Sequence, residues 1–204
     1  MLRYVFAACL AGALSFGAEA QEISKDSSRA PSGAYALDAA HSQVLFSIAH
    51  MGLTDYYGRF DKLSGTLNFD ANQPEKSATN VTIAMDSVDT PSGGLNDELK
   101  SAHVFSVAQF PTATFKSTSV ERTGADTGRV SGDLTIKGVT KPVTLDVVFR
   151  GGEQDPLKSG YALGFRGTAT IKRTDFGLTG MIWEPFVGDD VTLVIEAMFE
   201  QEKE

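Results

Sequence analysis

Residues 161–172, YALGFRGTATIK, decide the fold class of this chain. Apolar side chains stand at Leu163, Phe165 and Ile171, and polar side chains such as Arg166 and Lys172 stand between them. Alternation with a period of two is the pattern of a β-strand that buries one face and exposes the other. The segment therefore predicts a long strand at the surface of a β-sheet.

Seven further runs repeat this alternation. They lie at 44–48, 63–70, 81–86, 112–121, 130–137, 143–150 and 191–200. One polar face and one apolar face are typical of antiparallel sheets, whereas strands of parallel sheets carry continuous apolar runs. About eight antiparallel strands predict an all-β domain that is either a sandwich or a closed barrel.

The segments between the runs contain turn residues and one helical pattern. Glycine-rich stretches at 124–128, 137–138 and 151–152 predict hairpin turns. The connection 88–111 is the longest, and in it Asn96 is predicted to cap a short helix from Asp97 to about Phe105. Long ordered connections often serve as lids or binding loops.

The first 33 residues are predicted to lie outside the folded domain. Residues 1–20 combine a basic start, a short apolar core and the ending Ala18-Glu19-Ala20, which predicts a cleavable signal peptide and export to the periplasm. Residues 21–33 are polar and contain Ser, Pro and Gly, which predicts a disordered lead-in. The folded domain is then expected to span 34–204.

Composition excludes several classes of function. The single cysteine, Cys9, is removed with the signal peptide, so disulfides, thiolate zinc sites and cysteine nucleophiles are excluded. The net charge of −8 argues against a nucleic-acid partner. No other apolar run is long enough to span a membrane. His41, His50 and His103 lack metal-ligand spacing and no nucleophile motif is present, so neither a metal site nor an enzyme is predicted.

Four small residues fall on the apolar parity of their strands, namely Gly65, Gly132, Gly167 and Ser117. In a filled core each would leave a gap, which lowers stability. Two explanations remain open at this point. Either a ligand fills the gaps, or the glycines mark places where strands bend.

The chain resembles the YceI family of bacterial periplasmic proteins along nearly its whole mature length. The segments that carry the resemblance are 35–42 (YALDAAHS), 44–52 (VLFSIAHMG), 58–60 (GRF), 64–67 (SGTL), 110–115 (FPTATF), 132–143 (GDLTIKGVTKPV) and 173–177 (RTDFG). The resemblance implies an antiparallel eight-stranded, lipocalin-like barrel over 34–204. It also implies a carrier of long apolar ligands such as prenyl diphosphates, isoprenoid quinones or fatty amides.

An apolar ligand inside such a barrel would contact the inward-facing and flanking side chains. The predicted ligand-binding residues are Phe46, Ile48, His50, Phe60, Leu67, Phe69, Ile83, Met85, Phe105, Phe115, Leu134, Leu145, Leu163, Phe165, Gly167 and Trp183. His50, Arg59 and Arg173 are candidates for contacts with a polar head group. No cofactor is predicted, although a bound isoprenoid lipid or quinone is compatible with this arrangement.

An alternative function of another class stays open. The barrel would then be filled by its own side chains, and the protein would be a stress-protective or protein-interaction module. Cavity volume distinguishes the two hypotheses. A homodimer formed through exposed strand edges or the acidic outer face is a further candidate.

Overall fold

The computed structural model describes residues 23–155 and 160–201, so the predicted signal peptide lies outside the described residues. The described residues form eleven strands in one antiparallel sheet. The strands are β1 (Gly33–Leu37), β2 (Gln43–His50), β3 (Thr54–Phe60), β4 (Leu63–Phe69), β5 (Ala78–Ala84), β6 (Val88–Asp89), β7 (Thr112–Arg122), β8 (Thr127–Ile136), β9 (Val139–Gln154), β10 (Tyr161–Lys172) and β11 (Val187–Gln201).

The helical elements are short. The α-helix α1 spans Gly93–Lys100. Single turns of 3-10 helix lie at Ser27–Arg29, Pro74–Lys76, Met85–Ser87, Arg173–Phe176 and Glu184–Phe186. None of the helices formed by the described residues has the length and apolar character needed to cross a bilayer.

Eight strands close the sheet into a barrel. Their order is β1-β4-β5-β7-β8-β9-β10-β11, and β1 pairs back onto β11. The prediction of an eight-stranded antiparallel barrel with one short helix between 88 and 111 is therefore confirmed. All eight predicted runs form strands, because each has an apolar face to place in the barrel and a polar face for water.

Three strands, β2, β3 and β6, extend one end of the barrel, and of these the sequence predicted only β2. The sequence also did not predict β1, which closes the ring. β2 pairs with the first part of β11 from Val187 to Glu196, whereas β1 pairs with its last residues. β3 then pairs with β2, and the two-residue β6 pairs with β3. β1 and β6 are too short to show alternation. Residues 54–57, which were not predicted to form a strand, begin β3.

The helix does not begin at Asn96 as predicted. Ser92 is the N-cap, and its hydroxyl accepts a hydrogen bond from the Leu95 amide at 3.4 Å. The helix ends at Lys100, well before Phe105. The Asn96 side chain instead accepts from the Thr90 amide at 2.8 Å. The two glycines that follow Ser92 are poor helix formers, which conceals the true start in the sequence.

Gly151 and Gly152 do not form the predicted hairpin turn but lie inside β9. The pairing of β9 with β10 shifts by one residue beside them, which is a β-bulge. Gly151 has a φ of +138°, and a Cβ there would collide with the side chain of Ile23. The glycine is needed because the chain before β1 passes directly over it. The predicted turns at 124–128 and 137–138 do connect their strands as hairpins.

Residues 23–32 lie against the barrel, in contrast to the disordered lead-in expected over 21–33. The Gly152 amide donates to the Ser24 carbonyl at 2.9 Å. The Tyr35 hydroxyl donates to the Pro31 carbonyl at 2.6 Å, and Ala30 is buried. The polar composition concealed these few contacts, because backbone carbonyls of Ser24 and Pro31 are the acceptors.

Two buried clusters fill different ends of the barrel. The first includes Val44, Phe60, Leu99, Phe115 and Phe176, near α1. The second includes Tyr35, Leu67, Phe149, Leu163 and Phe199, where β1 closes the ring. Neither cluster fills its end completely, and the remaining space forms the candidate site.

Candidate functional site: the barrel interior

A cavity of about 440 Å³, here called the helix-end cavity, lies beneath α1 at one end of the barrel. Inward-facing residues of the strands form its walls, and the segments around α1 and between β10 and β11 cover it. The lining residues are Val44, Phe46, Ile48, His50, Tyr56, Phe60, Ile83, Met85, Thr90, Leu95, Leu99, Val104, Phe105, Ala113, Leu134, Ile136, Ile171, Arg173, Leu178, Met181, Trp183, Val187, Val191 and Leu193.

A second cavity of about 190 Å³, the hairpin-end cavity, lies near the β7–β8 hairpin. Apolar residues dominate its inner wall, and polar residues stand around its rim. The lining residues are Ser27, Leu67, Phe69, Pro74, Ser77, Ala78, Thr79, Val81, Phe115, Val120, Glu121, Arg122, Ala125, Asp126, Thr127, Gly128, Val130, Leu145, Val147, Phe149, Phe165, Gly167, Ile195, Ala197 and Phe199.

The two cavities meet end to end along the barrel. Consecutive inward positions of one strand line first one cavity and then the other, as Leu193 and Ile195 do on β11. Ala113 and Phe115 divide in the same way on β7. Such positions are roughly 7 Å apart along a strand, so the partition is about one side chain thick.

The inward glycines have different roles. A Cβ on Gly65 would lie 2.5 Å from the Asn80 carbonyl oxygen, and one on Gly132 would lie 2.5 Å from the ring of Phe115. Both glycines therefore allow close packing. At Gly167 a Cβ would make only ordinary contacts, the nearest at 3.6 Å to Ile195. Of these three, Gly167 alone borders open space.

The covering segment at the helix end is held by aromatic contacts and backbone bonds. The rings of Phe60 and Phe105 pack edge to face with centroids 5.8 Å apart, and Phe46 contacts Phe60 at 5.7 Å. The Phe105 amide donates to the Leu99 carbonyl at 3.0 Å. The long connection over 88–111 thus covers the helix-end cavity, in the position of a lid.

The structure places fifteen of the sixteen predicted ligand-binding residues on the walls of these two cavities. The sixteenth, Leu163, is not among the described residues that line either cavity. It is fully buried in the second cluster. Prediction named Phe105 and Trp183 of the cover but missed Leu95, Leu99 and Met181, which show no strand alternation. A helical spacing of Leu95 and Leu99 was the available signal for part of it.

Arg173 is buried and supports the chain between β10 and β11. Its Nε donates to the Gly188 carbonyl at 3.0 Å, and its Nη1 donates to the Leu178 carbonyl at 2.7 Å and to Glu184 Oε1 at 3.0 Å. The Gly180 amide donates to the other Glu184 oxygen at 2.5 Å. The Gly180 amide, and then Arg173, hold the pKa of the Glu184 carboxyl below its usual range.

The other two residues predicted to contact a head group, Arg59 and His50, differ in their relation to the helix-end cavity. Arg59 pairs with Asp89 at 3.0 Å, both side chains are about half exposed, and Arg59 is not among the residues that line the helix-end cavity. Its proposed head-group role is therefore not supported. His50 ends β2, is exposed and borders the helix-end cavity, so the cavity reaches the surface there.

The remaining histidines form local contacts. His41 Nδ1 lies 2.9 Å from Asp38 Oδ2 in a turn, and His103 Nδ1 lies 3.6 Å from Glu98. Among residues 23–155 and 160–201, no three His, Cys, Asp or Glu side chains are grouped so that they could hold a metal ion.

Exposed apolar side chains gather beside this end of the barrel. Met51, Leu53, Ile182 and Phe186 are all more than half exposed. The Met51 amide donates to the Phe186 carbonyl at 2.7 Å, which joins the β2–β3 hairpin to the segment before β11. The apolar lining of the helix-end cavity thus continues onto the neighbouring surface.

A closed antiparallel barrel with apolar cavities in its interior defines a lipocalin-like protein. The family model of the YceI-like domain matches residues 35–199. The chain therefore belongs to the YceI-like family, as the sequence motifs indicated.

Individual relatives agree with this assignment. A UPF0312 protein of Ectopseudomonas mendocina is 39% identical over 181 residues, which cover 88% of this chain and 89% of the relative. The crystal structure of Burkholderia cenocepacia BcnA is 27% identical with a TM-score of 0.72, covering 79% of this chain and 98% of that one. A polyisoprenoid binding domain from Saccharophagus degradans has the same fold, with a TM-score of 0.62, 20% identity and coverage of 82% and 98%.

Proposed function

We propose that the protein binds a long apolar lipid chain inside its barrel and carries it through an aqueous compartment. The observation that carries this proposal is the pair of apolar cavities placed end to end along the barrel interior. Strands of the barrel, its extension and the covering segments form their walls, so most of a chain held there is shielded from water.

The dimensions suit such a ligand. Ligand pockets generally measure roughly 300–1,000 Å³, and the helix-end cavity of about 440 Å³ falls in that range. A ligand too long for this cavity reaches the hairpin-end cavity by displacing the ring of Phe115. Binding then follows from transfer of apolar surface, at roughly 25 cal/mol per Å².

The unfilled interior favours a carrier over the alternative of a module with a filled barrel. Empty apolar space lowers the stability of a folded protein unless a ligand occupies it. Gly167 adds to this argument, because it leaves open a place that an alanine would occupy without strain.

The candidate ligands come from the family resemblance, and are a polyisoprenoid, an isoprenoid quinone or a fatty amide. The Saccharophagus domain is described as polyisoprenoid-binding, but the likeness at 20% identity concerns the fold alone. The apolar lining of both cavities is compatible with all three ligand classes.

The proposed function includes no chemical step. The residue types of a catalytic triad occur at Asp38, His41 and Ser42, but each has a structural role. Asp38 and His41 bond to each other, and Ser42 Oγ accepts from the Met198 amide at 3.0 Å. The hydroxyl is thus engaged with β11 instead of facing a base.

The compartment is part of the proposal. Removal of residues 1–20 in the course of export would place the barrel in the periplasm, an aqueous compartment. We expect the protein recovered from the periplasmic fraction to begin at Gln21, which intact-mass measurement detects. A full-length chain retained in the cytoplasm would contradict export.

The experiment that tests the proposal is lipid extraction from protein purified without detergent. Mass spectrometry of the organic extract is expected to show a long apolar lipid, close to one per protein chain. For protein stripped of lipid, added isoprenoid quinone is expected to rebind at the same ratio. An extract without lipid, together with no rebinding, would overturn the proposal.

A further inference from the structure

The outer end of the helix-end cavity carries a small polar collar, defined here as His50, Tyr56, Arg173 and Trp183. All four line a cavity whose other walls are nearly all apolar. The hydroxyl of Thr90, also on the wall, is already bonded to the Ser92 carbonyl at 3.1 Å. A cavity with polar groups at one end orients a ligand that is apolar along its length and polar at its tip.

Trp183 supplies the decisive donor of this collar. Its Nε1 is buried. Among the described residues, it is the one buried side-chain nitrogen or oxygen that has no hydrogen-bond partner. A buried N–H that has no acceptor destabilises a protein, so native structures leave few of them. The indole ring forms part of the cavity wall, and its N–H has no acceptor among the described residues.

The charge of Arg173 is already compensated. Glu184 lies 3.0 Å from its Nη1, and two backbone carbonyls accept its other hydrogen bonds. Lys172 is likewise paired with Asp190 at 2.8 Å and Asp189 at 3.7 Å. From 172 to 190 there are two basic and four acidic residues, so this segment offers no excess positive charge to an anionic group.

We propose that the polar collar binds a neutral carbonyl oxygen at the end of the ligand, with Trp183 Nε1 as the donor. The ligand class is an apolar chain that ends in a quinone or amide carbonyl, and a chain that ends in a phosphate is disfavoured. This inference rests on the proposed function and fixes the orientation of the ligand. The head group lies at the collar, and the tail points toward Phe115.

The test compares ligands that have the same isoprenoid tail and different ends. They are a quinone, an amide, a phosphate monoester and the plain hydrocarbon, and their affinities for the lipid-free protein are measured by calorimetry. We expect the quinone and the amide to bind roughly fivefold more tightly than the hydrocarbon, as one neutral hydrogen bond provides, and the phosphate to bind least.

The variant Trp183→Phe keeps an aromatic wall and removes the donor. It is expected to bind the hydrocarbon as the parent does and to lose the preference for carbonyl ligands. Circular dichroism and the unchanged hydrocarbon affinity show that the variant is folded. Equal carbonyl preference in both proteins would overturn the role of Trp183, whereas failure of every ligand to bind would instead overturn the proposed function.

A second variant tests whether compensation of the Arg173 charge by Glu184 disfavours a ligand that ends in a phosphate. Glu184→Gln keeps one acceptor oxygen where the carboxylate has two, and it leaves the arginine charge uncompensated. Its affinity for the phosphate ligand is expected to rise several-fold at low salt, and its affinity for the quinone is expected to change little. A parent protein that already prefers the phosphate to the quinone would contradict the proposal.

Discussion

The ring of Phe115 on β7 lies against the backbone of Gly132 on β8, where a Cβ would stand 2.5 Å from the ring Cζ. The same Cβ would also meet the Lys116 carbonyl oxygen at 2.5 Å. Gly132 thus allows the ring of Phe115 to pack closely against β8 at the partition between the two cavities. Gly132 is therefore needed for close packing, whereas Gly167 borders the open space of the hairpin-end cavity.

The first prediction compares alanine at these two glycines. Gly132→Ala is expected to lower the free energy of unfolding by about 1–3 kcal/mol, because the backbone and the ring must shift. Gly167→Ala is expected to leave it unchanged or to raise it by roughly 0.5–1 kcal/mol, since glycine weakens a strand interior. Urea denaturation measures both. Equal destabilisation by the two variants would show that Gly167 does not border open space.

The second prediction concerns occupation of the hairpin-end cavity. Gly167→Leu places a side chain between Ile195 and Leu145, where space exists for it. The affinity for long isoprenoid chains is expected to fall about tenfold, while the affinity for short chains that fit the helix-end cavity is retained. Thr168→Leu, on the opposite face of β10, is the matched control. If Gly167→Leu lost affinity for short chains as well as for long ones, while Thr168→Leu lost neither, the division between the two cavities would be contradicted.

The third prediction concerns acid pH. The Gly180 amide and Arg173 lower the pKa of Glu184 from its ordinary value of 4.5. Ionised Glu184 therefore stabilises the segment around Trp183 above about pH 4.5, and this contribution is lost as the pH falls through the lowered pKa. Emission of Trp183, the single tryptophan, is expected to shift to the red over that range. In Glu184→Gln the shift should be much reduced, and an identical shift would exclude Glu184 as its source.

The fourth prediction concerns alkaline pH. Burial, and then the neighbouring Tyr161, raise the pKa of Tyr35 to about 12. The neutral phenol therefore stabilises the fold fully below about pH 10, and this contribution is lost as the pH rises from 10 through 12. Tyr35→Phe is expected to cost about 1 kcal/mol at neutral pH through loss of the bond to Pro31, and to remove this part of the alkaline decline. If the stability of the variant declined equally between pH 10 and 12, groups other than Tyr35 would be responsible for the decline.

The sequence was most informative where each strand buries one face. Alternation located eight of the eleven described strands, since a buried face has the same period in any antiparallel barrel. It could not locate β3, because Tyr57 and Arg59 face outward beside Gly58, and little apolar contrast remains. Nor could it place Ser24 beside Gly152, because that bridge uses backbone atoms.

The candidate site was likewise predictable only where its residues lie on the buried face of a strand. Inward parity and the family resemblance named wall residues such as Phe46 and Leu134, which the structure brings to one cavity. They could not indicate that Arg59 pairs with Asp89 on the outside, since the two residues lie on separate strands, or that Glu184 compensates Arg173, since that contact depends on the path of the chain between β10 and β11. The lack of a partner for Trp183 Nε1 is visible only in three dimensions.

The most direct test of the central claim is a crystal structure of the protein grown with an isoprenoid quinone. We predict continuous ligand density that fills the helix-end cavity, begins beside Trp183 and extends toward Phe115. A barrel whose interior is closed by its own side chains, with the quinone outside the ring of strands, would contradict the account.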